Sequence, residues 1–510
     1  MSSSTFGSFE IGRRALHVQQ KGVQVTGQNI ANANTEGYSR QVVHMQALVP
    51  PAVAGVETPP GYGVAVSDIV RMKSEFYGGQ LMKALTAQSY WESLNKTTSG
   101  LEVIFQEPKE MGINAHLSEF FDAWQEVSVN PESFAARISL REQAVSLTMV
   151  VEDIYERMDD LKMEVLRETE TNVNLINSVT REIAVLNGKI TYLSALGKKS
   201  NEMLDQRDML LQELSKLLDI RVIQKTNGSV EVLAGERILL HDDRFLKLEQ
   251  KINDDTGDLE VFNELGAKLN VNGGELLGLL ESYNCVLPKY MDALDELVYH
   301  LVEGVNELHR GGFSLNGETD INFFEPWKPK IDGEDGNEEE NENGEITKDV
   351  FRGISSYFKV DKKILEDINL IAAAGFKDKV GEGIEDEPGG GENGVGDGDF
   401  TRPGDGSNAL KIAQLRGELI RFGNGDATFH DFFRGSMTDL GVEGRESERL
   451  LLTMNEVVIR MREQEETVSS VSLDDEMLNM IQFQHAYNAA SRYLSTLDRM
   501  LEMLIAELGR

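Results

Sequence analysis

RISLREQAVSLTMVVEDIYERMDDLKMEVLRETETNVNLINSVTREIAVLNGKITYL, residues 137–193, repeats its apolar positions every seven residues. Leu140, Leu147, Ile154 and Leu161 fall seven apart, with Ala144, Val151, Met158 and Val165 beside them. After a polar interval the register resumes with Ile176, Ile183 and Ile190, flanked by Val179, Leu186 and Leu193. Apolar residues at alternating steps of three and four mark one face of a long helix packed along partner helices. Unbroken, a helix from Arg137 to Leu193 is about 85 Å long. No proline lies between Pro131 and Pro288 or after Pro403, so both regions are open to long helices.

Outward from that stretch, Gly197 and the following Lys-Lys-Ser-Asn read as a turn. A second helix, about 201–218, returns with Leu204, Leu211, Leu214 and Leu218. At Ile220 the period changes to alternation. Arg221–Lys225 and Ser229–Leu233 flank Asn227-Gly228, a strong hairpin signal, and further strands are expected to about Phe262. Strict helical spacing returns at Leu277, Leu280, Leu287, Met291, Leu294, Val298, Leu301, Val305 and Leu308. Asn284 is the one polar residue on that stripe, and Pro288 kinks or starts the helix.

Residues 315–430 are rich in glycine and acid. Residues 331–400 hold 20 Asp and Glu against 7 Lys and Arg, a net of −13. This reads as an outward-facing, β-rich inserted domain with loose loops at 332–345 and 382–399. The last helical region, from about Glu446 to Leu508, is free of proline. The fold class is therefore mainly α with β insertions (α+β). Residues 1–75 and 471–510 form the two halves of a terminal-helix domain. Residues 76–219, 271–314 and 433–470 form a long central helical bundle. Residues 220–270 form a small β insertion, and 315–432 the outer acidic domain.

The chain has 510 residues and a formal net charge of −36. So acidic a surface, with no basic stripe, repels phosphate backbones and anionic membranes alike. Neither nucleic acid nor membrane insertion is expected, and no segment approaches the roughly 20 apolar residues of a span. The single cysteine, Cys285, excludes an internal disulfide and reads as a buried structural thiol on the 277–308 helix. The first residues lack the basic and apolar runs of a signal peptide, which alone describes a protein that stays inside the cell.

An enzyme finds no support. The eight histidines make no i, i+4 metal-ligand pair. Gly61-Tyr62-Gly63 lacks the third glycine of a dinucleotide loop. The acidic runs at 332–337 and 396–399 fall short of a twelve-residue calcium loop and read as solvated loops. No catalytic residue, metal or cofactor is expected.

The two ends carry narrower patterns. Phe9, Leu16, Val23 and Ile30 are spaced seven apart among polar residues. Gly12, Gly22 and Gly27 weaken that helix by roughly 1 kcal/mol each relative to Ala, so it needs a partner. At the other end Leu473, Met477, Met480, Gln484, Tyr487, Ala490, Leu494, Leu497, Leu501, Leu504 and Leu508 follow helical spacing with one shortened step at Tyr487. Ser472 and the acids after it suit a helix start. In NIANANTEGYSRQ, residues 29–41, Asn32, Asn34 and Gly37 suit a left-handed helix end. Tyr38 offers a ring to pack and a hydroxyl to pair. From pattern alone, the ends pair with each other or with a neighbouring chain, or each caps the central bundle.

NIANANTEGYSRQ resembles the N-terminal motif shared by flagellar rod, hook and hook-associated proteins, and SLDDEMLNMIQFQHAYNAASRYLSTLDRMLEMLIAEL (472–508) resembles their C-terminal motif. LDQRDMLLQELSKLLDI (204–220), GFSLNGETDINFF (312–324) and GDGSNALKIAQL (404–415) are most similar to the hook-associated members that join hook to filament. The resemblance implies a structural subunit exported unfolded through the flagellar type III secretion apparatus, which overturns the intracellular expectation. It implies self-association in a ring between the hook protein and hook-associated protein 3, outside the cell. It further implies terminal helices that order on assembly into an inner tube. A cytosolic export chaperone is expected on the C-terminal helix at Leu494, Leu497, Leu501 and Leu504.

On this reading Phe9, Leu16, Val23, Ile30, Asn32, Asn34, Gly37 and Tyr38 serve assembly at one end. Leu473, Met480, Tyr487, Leu494, Leu497, Leu501, Leu504 and Leu508 serve it at the other. The acidic loops are not part of the family pattern. The rival readings are a secreted adhesive or calcium-binding surface protein acting through 315–430, or another axial subunit such as hook-associated protein 3 or the hook protein.

Overall fold

The computed structural model describes residues 2–48, 62–105, 112–254, 256–327, 351–375, 404–423 and 425–508. Both acidic loops lie outside them. The chain begins with α1 (Ser2–Ala31), the hairpin β1 (Gln41–Ala47) and β2 (Val64–Arg71), then α2 (Glu75–Phe105) and α3 (Ile113–Val129). α4 (Phe134–Ala195) and α5 (Asn201–Leu217) lead into six short strands. These are β3 (Ile220–Gln224), β4 (Val230–Ala234), β5 (Arg237–His241), β6 (Arg244–Phe245), β7 (Leu248–Ile252) and β8 (Leu259–Asn263). Then come α6 (Glu275–Glu281), α7 (Leu287–Arg310), α8 (Lys362–Glu366), α9 (Ser407–Gln414), β9 (Ile420–Phe422) and β10 (Gly425–Ala427). α10 (Phe429–Ser469) and α11 (Leu473–Leu508) end the chain.

The heptad stretch is one helix. α4 runs unbroken for 62 residues, about 93 Å at the α-helical rise. Ser133 caps it, accepting from the Ala136 N–H at 3.3 Å. Its first half buries Leu140, Leu147, Ile154 and Met158 with Phe120 and Trp124 of α3 and Leu294, Leu301 and Val305 of α7. Its second half buries Ile176, Val179 and Ile183 with Leu211 and Leu214 of α5 and with strand residues Val230, Val232, Leu248 and Val261. α10 lies along α2, where Val458 packs on Leu81 and Leu85.

Past the polar interval, within the resumed repeat, two buried asparagines mark where strands cross the helix. Asn177 accepts from the Leu248 N–H at 2.7 Å and donates to the Leu248 carbonyl at 2.8 Å. Ten residues on, Asn187 accepts from the Val230 N–H at 3.1 Å and donates to the Val230 and Asp242 carbonyls, both at 2.8 Å. Each carboxamide thus does for a strand what the neighbouring residue of a β-ladder does. β3, β4, β5 and β6 form an antiparallel meander, and Gly228 takes φ +87° in the Asn-Gly turn. β7 and β8 form a separate hairpin.

Pro288 has no N–H to offer the carbonyl of residue 284, and the chain takes a wide π turn over Ser282–Val286 before α7. That turn aims Asn284 at β8, where it pairs with both the N–H (2.7 Å) and the carbonyl (3.0 Å) of Leu259. The same turn carries Cys285 outward. Its side chain is exposed, not buried as the helical spacing implied. Partial burial, Glu281 and Asp258 nevertheless hold the thiol above its ordinary pKa.

The described part of 315–432 differs from the β-rich domain expected there. Its strands are β9, β10 and isolated bridges such as Phe324 to Val360, and the rest is short helices and turns. It closes the main core: Phe323 and Phe324 stack around Phe120, Trp124 and Phe358, with ring centroids 4.8–5.9 Å apart. Asn306 of α7 holds this turn, accepting from the N–H groups of Phe323 and Phe324 at 2.9 Å and donating to the Phe324 carbonyl at 3.1 Å. Buried Arg137 donates to the carbonyls of Pro131, Ile368 and Ile371.

Two titrating groups brace the same region. His309 is fully buried. Its Nε2 accepts from the Ala372 N–H at 2.9 Å, so Nδ1 carries the proton and donates to the Ile321 carbonyl at 2.6 Å. Protonating Nε2 would break the first bond, and burial holds the pKa down at about 4. Asp295 accepts from the N–H groups of Gly353 (2.6 Å) and Ser355 (3.0 Å). Burial outweighs those bonds and pushes its pKa up to about 6.

Asn306→Ala and the bulkier Asn306→Leu are expected to lose similar stability, on the order of 3 kcal/mol in urea unfolding, because what goes is the pairing of three backbone groups. Full stability in the Leu variant would make volume the cause. For pH, the unfolded chain protonates histidine below about 6.5 while folded His309 resists until about 4, so this group removes stability as pH falls through that window. Asp295 acts oppositely, since the folded chain takes up its proton near pH 6 and the unfolded chain only near 3.8. His309→Phe should therefore flatten the acid side of the stability curve between pH 7 and 5, by about 2 kcal/mol, and Asp295→Asn should steepen it. Urea midpoints across that range decide the matter.

Candidate assembly site at the terminal helices

α1 and α11 come from opposite ends of the sequence and lie along each other. α1 uses two faces. The face with Ile11, Val18, Val25 and Asn29 turns to the β1–β2 hairpin, where Gly63 sits against Ile11 and Gln41 against Asn29. The face with Phe9, Gly12, Leu16, Val23, Gly27 and Ile30 is turned by about two-fifths of the helix circumference at 100° per residue. Here Gly12 abuts Leu494, Gly27 abuts Met480, and Val23 and Gln20 line a cleft with Gln484, Tyr487 and Asn488.

The glycines that weaken α1 are what admits α11. A Cβ on Gly12 would lie 2.6 Å from Leu494 Cδ2, and one on Gly22 would lie 2.7 Å from the Phe483 ring. Phe9, Leu16, Val23, Ile30, Met480, Leu494, Leu497 and Leu501 are half-buried. Leu473 and Tyr487 are exposed, at 46% and 40%. Leu504 and Leu508 lie within α11, with their side chains outside the described residues.

Sequence reasoning passed over Phe483 and Glu476. With them the stripe runs 476, 480, 483, 487, 490, 494, 497, 501 in unbroken steps of four and three, and the shortened step at Tyr487 disappears. That irregularity was the available signal.

The N-terminal motif ends α1 and ties it to both neighbours. Asn32 donates to the Gln28 carbonyl at 3.0 Å, and Gly37 takes φ +76°. Asn34 is exposed. The buried centre is Asn29. It exchanges two hydrogen bonds with the Gln41 backbone, accepts from the Tyr38 hydroxyl at 2.9 Å and donates to Glu476 at 3.0 Å. Glu476 in turn accepts from Arg40 Nε at 2.8 Å. Burial first, then Asp205, Glu202 and Glu476, pushes the Tyr38 phenol up to about 12, so the hydroxyl stays a donor.

A second polar cluster joins this unit to the bundle. Arg71, at the end of β2, donates to Asp205 at 2.7 Å and Asp208 at 3.0 Å, both in the first turns of α5. Lys73 pairs with Asp208 at 3.0 Å and with Glu465 of α10 at 3.5 Å. Asp205 also accepts from the Ser39 N–H, and Asn201 donates to Gln41 and to the Ile69 carbonyl. Gly37 leaves room for Met209. On the other side of α5, Arg207 donates to the Gly228 carbonyl at 2.7 Å.

Among the described residues no group of three or more His, Cys, Asp or Glu side chains is placed to hold a metal. No described helix is long and apolar enough to cross a membrane.

Comparison with known proteins agrees with this geometry. Residues 98–324 match the model of the flagellar hook-associated protein FlgK helical domain. Residues 9–38 match that of the flagella basal body rod protein, and 467–507 that of the flagellar basal body rod FlgEFG protein C-terminal region. Flagellar hook-associated protein 1 of Bacillus subtilis is 27% identical, the match covering 99% of each chain. Its Escherichia coli counterpart is 23% identical over 96% of this chain and 97% of that one. The fold is similar to that of the flagellar hook junction protein FlgK from Burkholderia pseudomallei, with a TM-score of 0.62 at 16% identity, over 76% of this chain and all of that one. The chain is a structural subunit of the bacterial flagellum, similar along its whole length to flagellar hook-associated protein 1.

Proposed function

We propose that the chain forms the hook–filament junction, as a ring of copies seated between the hook protein and hook-associated protein 3, and that the α1–α11 pair makes the ring. One observation carries this reading. Two helices from opposite ends share a seam, while α11 leaves apolar side chains outside that seam open: Leu478 is 59% exposed, Ile481 50% and Met503 60%. Apolar side chains left open in this way are a liability on a free chain and an interface among neighbours. The chain reaches its place through the type III export apparatus and works outside the cell. Before export a cytosolic chaperone covers α11, where Leu494, Leu497, Leu501 and Leu504 give it an apolar strip.

The role is mechanical, and the seam is its working part. Leu497→Asp is expected to abolish attachment of filament to hook in motile cells while the purified protein keeps the circular dichroism of its long-helix bundle. Normal filaments on a normally folded variant would sink the assignment of the seam. Gly22 gives a test of opposite sign. Helix propensity alone predicts that Gly22→Ala stabilises α1 by about 1 kcal/mol. The Phe483 ring stands where the new methyl would go, so the variant should instead loosen the pair, read as faster tryptic cleavage within α1. Slower cleavage would mean that α1 is limited by its own helicity and not by its partner.

A further inference from the structure

The polar cluster at the start of α5 has a geometry that neither the seam nor the bundle core requires. Four chain segments meet there and tie the terminal pair to the long helices. Two are the connections themselves, β2 into α2 through Arg71–Lys73 and α10 into α11 through Ser470–Ser472. The third is the N-terminal motif, whose Arg40 N–H donates to the Ser469 carbonyl at 2.9 Å and whose Arg40 carbonyl accepts from the Met72 N–H at 2.8 Å. Those two bonds cinch both connections together, but a cinched pair of short linkers still leaves a pivot. The fourth segment, α5, stands beside the pivot.

α5 faces two ways. Asp205 and Asp208 grip Arg71, Lys73 and the Ser39 N–H, on the side of the terminal pair. Arg207, between them, grips Gly228 and Asn187, and Leu211 and Leu214 are buried in the second core. A helix anchored in the core therefore reaches past the pivot and holds its far side. Asp205 is only 6% exposed, so its bidentate bridging of Arg71 and the Ser39 N–H is screened little by solvent. We propose that the first two turns of α5 are a clamp that fixes the direction in which the terminal helix pair leaves the long-helix bundle.

Cys285 is exposed and lies in the bundle, so it serves as one of two spin-label sites, with exposed Ser491→Cys on α11 as the other. Electron double resonance on the full chain should give one narrow distance, and Asp205→Ala with Asp208→Ala should broaden it severalfold. A second pair, Gln24→Cys with Gln482→Cys in a Cys285→Ser background, reports the seam itself and should stay narrow in both. An unchanged first distance in the double variant overturns the clamp, as does a first distance already broad in the parent chain. Broadening of the second pair as well would also overturn it, because the cluster would then be needed for pairing and not for direction.

Discussion

A carboxamide on a helix presents one acceptor and one donor, the same pair that one residue of a β-strand presents to its neighbour. This chain uses that equivalence at five places where an extended segment meets a helix. Asn177 and Asn187 hold the β insertion on α4, Asn284 holds β8 on the π turn, Asn306 holds the Phe323-Phe324 turn on α7, and Asn29 holds β1 on α1. Without them, each crossing would bury backbone N–H and carbonyl groups unpaired, at about 1–3 kcal/mol apiece. Apolar packing gives the helices their mutual affinity. The asparagines decide where along each helix the other segments stop.

That division explains the layout. A helix of 62 residues offers many equivalent positions for an apolar partner to slide along, because its stripe repeats every seven residues. A buried asparagine breaks the repeat at one place, and a wrong register would leave it unpaired in the core. The same logic governs α1. Its apolar face against the hairpin is generic, whereas Asn29, bonded to Gln41, Tyr38 and Glu476, admits a single alignment of α1, β1 and α11.

Much of this was legible in the sequence. The heptads of 137–193, the Asn-Gly hairpin and the break in period at Ile220 identify their elements because each is a local pattern. Asn284 stood out as the polar residue on an apolar stripe, though its partner, Leu259, lies 25 residues back and has no local signature. The glycines were read only as weakening α1, and the close approach at Gly12 and Gly22 was not foreseen, since propensity describes a helix by itself and the glycines also serve its neighbour. Exposure of Cys285 was missed because helical spacing does not foresee an extra residue in a π turn. The region 315–432 read as a β domain from its glycines. What fixes its described part is a set of long-range ring contacts, Phe323 and Phe324 on Phe120 and Trp124, which glycine content does not report.

The two ends illustrate how weak local order serves an assembly protein. α1 carries three glycines and an apolar stripe one residue wide, so little of its stability is its own. It is held from outside, by the hairpin on one face and α11 on another, with Asn29 and Glu476 at the shared corner. Bringing the ends together closes a loop of over 400 residues, whose entropy grows only with the logarithm of its length. The long helices shorten that path, because α2 and α10 lie side by side and bring Arg71 and Ser469 to the same place. The core clusters on α4 contain no residue of α1 or α11, so the packing of the bundle does not depend on the seam, whereas the seam depends on the bundle to bring its two halves together.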